Sequence, residues 1–144
     1  MSDFRLDPRL ERDTLVLGDL ALCRVLMMND ARYPWLILVP RRPDLTELID
    51  LIPADQESLF REIVEVSAAL RAVHNPDKLN IGALGNIVRQ LHVHIVGRFA
   101  SDPAWPGPVW GHSPAHPYPA HMAGIARDRL IAALDPYGLR DGTT

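Results

Sequence analysis

The 144-residue chain has a single cysteine, no uninterrupted apolar run of the length a membrane span requires, and no surplus of positive charge. Each lack removes a class of protein. Cys23 cannot form an internal disulfide, and its place in the apolar run from Leu20 to Met28 makes it a small hydrophobe in a core. A membrane helix needs about 18 continuous apolar residues, so no membrane association is expected. The first residues, Met1 to Asp7, lack the basic start and apolar centre of a secretion signal, which makes the cytoplasm the expected compartment. The net charge of −3 and a pI near 6.0 offer no electrostatic footprint for a nucleic-acid polymer. The arginines at Arg41, Arg42, Arg89 and Arg98 read as solvated surface or as a local attraction for a small anion.

What is present is the composition of an ordinary globular protein, 47% hydrophobic and 23% charged, of a length that suits one domain over residues 1–144. The first third reads as strands. Thr14 to Leu17 stops at the turn pair Gly18-Asp19, Leu20 to Met28 follows as its hairpin partner, and Asn29-Asp30 marks the next turn. Trp35 to Val39 is continuously apolar and closed by Pro40, as expected for a central strand covered on both faces. A short helical piece is expected over Thr46 to Leu51, with Thr46 as its N-cap. Pro53 opens a long helix on which Leu59, Ile63, Val66, Leu70 and Val73 trace one stripe, and Asn75-Pro76-Asp77 ends it. Leu79 to Leu84 reads as a strand before the turn at Gly85-Asn86. Residues 102–119 hold six prolines with Trp105, Trp110 and Tyr118, which predicts a long loop anchored by its aromatics. Ala120 to Leu134 reads as a final helix, and residues 135–144 as a frayed tail.

The informative segment is Gln90-Leu91-His92-Val93-His94-Ile95-Val96. As a strand it sends Leu91, Val93 and Ile95 to one face and Gln90, His92 and His94 to the other, the latter spaced by about 7 Å per pair of residues. Three readings fit such a row. The histidines can be polar residues on a solvated sheet face. They can ligate a metal, which would need a third ligand from His112, His116 or His121. Or one of them can attack phosphorus, a neutral imidazole being a good nucleophile that forms a labile phosphoramidate, with neighbouring donors steadying the phosphate oxygens.

The segment Gln90-Leu-His92-Val-His94-Ile-Val-Gly-Arg98 resembles the signature of the histidine triad family, with Gln90 where the first histidine normally stands. The resemblance extends to Leu36 to Pro40 followed by Arg41-Arg42, to the helix from Pro53 to Val73, to Asn80-Ile81-Gly82 and to Gly85-Asn86, roughly residues 14 to 110 in order. It implies an α+β fold, an antiparallel sheet of about five strands with packed helices, and a homodimer. It also implies a metal-independent and cofactor-free hydrolase or nucleotidyl transferase. Such an enzyme acts at the α-phosphate of a dinucleoside polyphosphate, a nucleoside phosphoramidate or a similar small nucleotide. By the same resemblance His92 is the nucleophile, His94 and Gln90 stabilise the phosphate, and Asn80, Asn29, Gly85 and Asn86 bind the substrate.

Three positions depart from the family pattern. Gln90 can donate from its amide but cannot become cationic. Trp35 stands where another histidine is common, and Ile87 where a serine that assists the leaving group is common. A slow hydrolase, a transferase, or a nucleotide-binding protein without catalysis all accord with these changes.

Overall fold

A computed structural model describes residues 3–142. Five strands form one antiparallel sheet in the order β1-β2-β3-β5-β4. They are β1 (Thr14–Asp19), β2 (Cys23–Met28), β3 (Trp35–Pro40), β4 (Lys78–Gly82) and β5 (Val93–Arg98), with helices α1 (Pro8–Asp13), α2 (Pro53–His74) and α3 (Ala120–Leu134). The continuous apolar run of β3 is explained by its place in the middle of the sheet, where all six residues are buried. This is the α+β architecture expected from the sequence.

The alternation of side chains divides the interior in two. One face of the sheet, with Val25, Leu36, Leu38, Val93 and Ile95, packs beneath Leu59, Val66 and Leu70 of α2 and Leu130 and Leu134 of α3. Each such side chain contributes about 1.5–3 kcal/mol on burial. The other face, with Leu26, Trp35, Ile37 and Val96, is covered by Leu10 of α1 and by Ala104 and Val109 of the loop between β5 and α3. Within α2 the Glu62 carboxylate is buried, and it accepts the backbone N–H groups of Leu22 (2.8 Å) and Cys23 (2.9 Å) at the start of β2. Cys23 is fully buried beside it.

Several local expectations need correction. The strand bearing the histidines starts at Val93, so Gln90, Leu91 and His92 precede it. The register explains this: Leu38 pairs with Val93, which would set Pro40 opposite Leu91, and proline has no N–H to extend the ladder. Leu91 N–H donates instead to Leu45 C=O at 3.0 Å. The short helix is a single 3-10 turn over Leu48–Asp50, and Thr46 does not cap it. The Asp50 carboxylate accepts from Glu47 N–H (2.9 Å) and from the Thr46 hydroxyl (3.2 Å). The segment expected as a tail carries ordered contacts. Asp135–Tyr137 form a 3-10 turn, and Arg140 pairs with Asp19 through hydrogen bonds of 2.7 and 2.9 Å; Thr143 and Thr144 lie outside the described residues.

The two edges of the sheet differ. At β1, Arg127 of α3 donates from Nε to Val16 C=O at 3.0 Å, and the pairing with Arg140 occupies both backbone groups of Asp19. β4 forms the opposite edge and, among the described residues, pairs only with β5. No helix among the described residues is long and apolar enough to cross a membrane.

Candidate active site

His92 and His94 are both buried on the face of the sheet away from α2 and α3, their ring centroids 4.9 Å apart at an interplanar angle of 68°. Neither lies on a solvated sheet face. Their hydrogen bonds define their tautomers. Nδ1 of His92 lies 2.6 Å from the Gln90 carbonyl oxygen, which can only accept, so Nδ1 carries the proton and the lone pair of the neutral ring is on Nε2. In His94 the order is reversed. The Trp35 indole N–H donates to His94 Nδ1 at 3.0 Å, so the neutral ring bears its proton on Nε2. Burial and the adjacent His92 lower the His94 pKa to about 3, which keeps that ring neutral at physiological pH. Trp110 closes against its other side, with centroids 5.5 Å apart. One ring thus presents a nucleophilic nitrogen and its neighbour an N–H donor.

Both rings line a cleft of about 500 Å³. Its walls are α1, the turn at residues 30–32, Trp35 and Ile37 of β3, the irregular segment 84–88 and the loop at 109–115. The apolar lining from Leu10, Met28, Ile37 and Val109 suits a flat hydrophobic group, with polar side chains at the margin. A second hollow of about 330 Å³ lies on the other side of His92, bounded by residues 46–49 and 83–85.

The residues singled out in the sequence divide into two sets. His92, His94, Gly85 and Asn86 meet at the cleft, Gly85 taking a left-handed conformation (φ +76°) in the turn that forms its rim. Gln90, Asn80 and Asn29 are engaged elsewhere. The Gln90 amide donates to Arg5 C=O at 2.9 Å and accepts Asp7 N–H at 2.8 Å, tying down the N-terminal segment. The Asn80 side-chain oxygen accepts from Arg98 at 2.8 Å, and that of Asn29 accepts Tyr118 N–H at 2.9 Å. Arg98 is 1% exposed and also forms a two-pronged pair with Asp102 (2.8 and 3.0 Å), which anchors the start of the proline-rich loop. Asp102 loses some acidity to burial, yet the Arg98 guanidinium and the N–H groups of Phe99 and Trp105 outweigh this and bring its pKa down to about 2.

Sequence reading missed the four charged side chains of the cleft, Arg9, Asp13, Asp30 and Arg32. The first two sit on α1, whose signal was present as Asp7-Pro8: the Asp7 carboxylate caps Arg9 N–H at 2.8 Å and Pro8 takes the first helical position. Asp30, which is buried, and the part-buried Arg32 form a two-pronged pair (3.0 and 2.9 Å), and Arg32 also reaches Ser113 and the Pro114 carbonyl. No local pattern announces those contacts. Among the described residues no three His, Cys, Asp or Glu side chains come together as a metal site.

Residues 9–101 match the family model described as the HIT domain. Three solved structures align over nearly the whole chain. The histidine triad protein of Sinorhizobium meliloti 1021 is 50% identical with a TM-score of 0.89, over 92% of this chain and 98% of that one. That of Bradyrhizobium japonicum is 48% identical (TM-score 0.88; 90% and 97% covered), and that of Marinobacter aquaeolei VT8 is 41% identical (TM-score 0.91; 94% and 98% covered). Among curated proteins none matches.

Proposed function

The chain belongs to the histidine triad family, and from that premise we propose that it is a nucleotide hydrolase or nucleotidyl transferase in which His92 attacks the α-phosphate. The observation that carries this reading is the opposed pair of tautomers, a free Nε2 lone pair on His92 beside an Nε2–H on His94, both at the cleft. In the first step Nε2 of His92 forms an N–P bond and the bond from phosphorus to the leaving group breaks, the leaving group taking the electron pair. The Gln90 carbonyl stabilises the charge that develops on the His92 ring through Nδ1–H, and the N–H of His94 donates to a phosphate oxygen. Water or another acceptor then attacks phosphorus and the N–P bond breaks. With water, a nucleoside monophosphate leaves, a proton passes to solvent and His92 is restored.

The test is turnover of diadenosine tetraphosphate and adenosine phosphoramidate, with intact-protein mass measured after rapid quenching. The expected results are product formation and a transient gain of one nucleoside monophosphate. Both should be lost in His92→Ala while its thermal transition stays cooperative. Undiminished turnover in that variant removes His92 from the mechanism.

A second reading, a nucleotide-binding protein without turnover, is favoured by Gln90, whose amide is spent on the N-terminal segment rather than on a phosphate. Binding of AMP by calorimetry with no product from either substrate would establish it.

We also propose that the protein is a homodimer joined at the β4 edge. Ile81 on β4 and Phe60 and Val64 on α2 are exposed apolar side chains, with Phe60 70% exposed, and β4 is an edge that among the described residues pairs only with β5. Sedimentation should give a dimer that Phe60→Glu or Ile81→Glu dissociates; a monomeric parent protein overturns this.

A further inference from the structure

We propose that Arg9 binds the phosphates beyond the α-phosphate, and that Gln90 is the positioning residue that holds Arg9 at the cleft; this rests on the nucleotide site described above. The cleft is lined by two cationic side chains, Arg9 and Arg32. Arg32 has four of its five guanidinium N–H donors engaged, by Asp30, Ser113 and Pro114. His94 is neutral. Asp13 and Asp30 add negative charge to the same walls. A nucleotide with several phosphates therefore needs a cation, and Arg9 supplies it. Its side chain is 48% exposed, and among the described residues its one side-chain bond is a long contact of 3.4 Å from Nε to Asp7, which leaves the paired Nη nitrogens open to an anion.

The placement of Arg9 follows from the departure at Gln90. The two hydrogen bonds of its amide, to Arg5 C=O and Asp7 N–H, clamp the segment two residues before Arg9 to the backbone two residues before His92. The same residue's carbonyl holds Nδ1 of His92. Gln90 thus links the nucleophile to the N-terminal segment. An imidazole there could not both donate and accept in this pattern while also facing a phosphate.

The chemistry makes the leaving group the natural ligand. When the His92 N–P bond forms and the bond to the bridging oxygen breaks, a polyphosphate departs as an oxyanion that holds the electron pair. Its terminal phosphate has a pKa near 6, so no acid is needed to protonate it. A guanidinium that stabilises its charge is sufficient, which suits a site whose second histidine is not a cationic acid. Dinucleoside polyphosphates are accordingly favoured over phosphoramidates of alkylamines, whose nitrogen must be protonated before it leaves.

Calorimetry in the His92→Ala background separates this inference from catalysis, since no substrate is consumed. Arg9→Ala should weaken diadenosine tetraphosphate by at least about tenfold, with a several-fold smaller loss for AMP. Arg9→Lys should recover part of the affinity. Gln90→Ala should reproduce the loss, and the Arg9→Ala/Gln90→Ala pair should lose no more than Arg9→Ala alone. Equal losses for both nucleotides would put Arg9 on the base, the sugar or the α-phosphate, and no loss would remove it from the site; either overturns the proposal. Additive losses overturn the role of Gln90. Failure of the active parent protein to turn over any substrate overturns the His92 chemistry and leaves the binding result readable.

Discussion

The indole N–H of Trp35 donates to Nδ1 of His94 at 3.0 Å, from a strand neighbouring the one that carries the histidine. Trp35 pairs with Val96 and Ile37 with His94, so the indole reaches across the ladder on the face the two side chains share. A large apolar ring therefore serves as a hydrogen-bond donor in the core, and its bond determines which nitrogen of His94 carries the proton.

Trp35→Phe keeps an aromatic ring and removes the donor. His94 Nδ1 then loses its partner and both tautomers become accessible. Nitrogen NMR of the imidazoles should show His94 with Nδ1 as the bare nitrogen in the parent protein and averaged signals in the variant. Turnover should fall by about tenfold, the effect of roughly 1.4 kcal/mol in the barrier. An unaltered tautomer in the variant would show that something other than Trp35 sets it.

Burial and His92 lower the His94 pKa to about 3. In the unfolded chain its pKa is about 6.5. Below that value the unfolded state takes up a proton that the folded state refuses, so this residue's contribution to stability is lost as pH falls from about 6.5 toward 3. Proton NMR should show a flat His94 ring signal between about pH 8 and pH 5. A titration centred in that interval would refute the neutral ring and the role given to it.

Asp102 behaves as a depressed acid. With a folded pKa of about 2 against about 3.9 unfolded, it stabilises the fold above pH 4 and loses that contribution as pH falls through 2. The amount is about 2–3 kcal/mol. Acid unfolding followed by circular dichroism should be shallower between about pH 4 and pH 2 in Asp102→Asn. Asp102→Ala, which strands the buried Arg98 charge, should cost about 3–5 kcal/mol in urea unfolding.

Glu62→Ala removes the acceptor for the Leu22 and Cys23 N–H groups, both of which are buried with it. An unsatisfied buried donor costs about 1–3 kcal/mol. Urea unfolding should show a loss of at least about 2 kcal/mol, with turnover retained in the fraction that stays folded. A loss below about half a kcal/mol would mean that water replaces the carboxylate.

Regular periodicity made much of the fold legible in the sequence. β3 was marked by its unbroken apolar run, α2 by the stripe from Leu59 to Val73, and the shared face of His92 and His94 by the alternation with Leu91, Val93 and Ile95. The alternation could not say what Gln90 would meet, because Arg5 and Asp7 lie more than eighty residues away in the chain. The same holds for Asn80 on Arg98 and for Asn29 on the backbone of Tyr118. These are polar side chains whose partners are set by tertiary packing, and no local spacing encodes such pairing. α1 was missed for a different reason: at six residues it is too short for a periodic stripe, and only Asp7-Pro8 marked it.

In the dimer proposed above, the unequal edges of the sheet would set the valence of the molecule. Strands exposed along both margins would let each copy accept a neighbour on either side, and such addition continues into fibres. Here Arg127 holds the Val16 carbonyl and Arg140 saturates Asp19, which spoils β1 as a template for another strand. A body with one receptive margin can join a like body once, and the pair it forms has none left to offer. Relieving that block, by Arg127→Ala together with removal of the residues after Gly138, should turn the proposed self-limiting pairing into an open-ended one, visible as light scattering that rises with protein concentration.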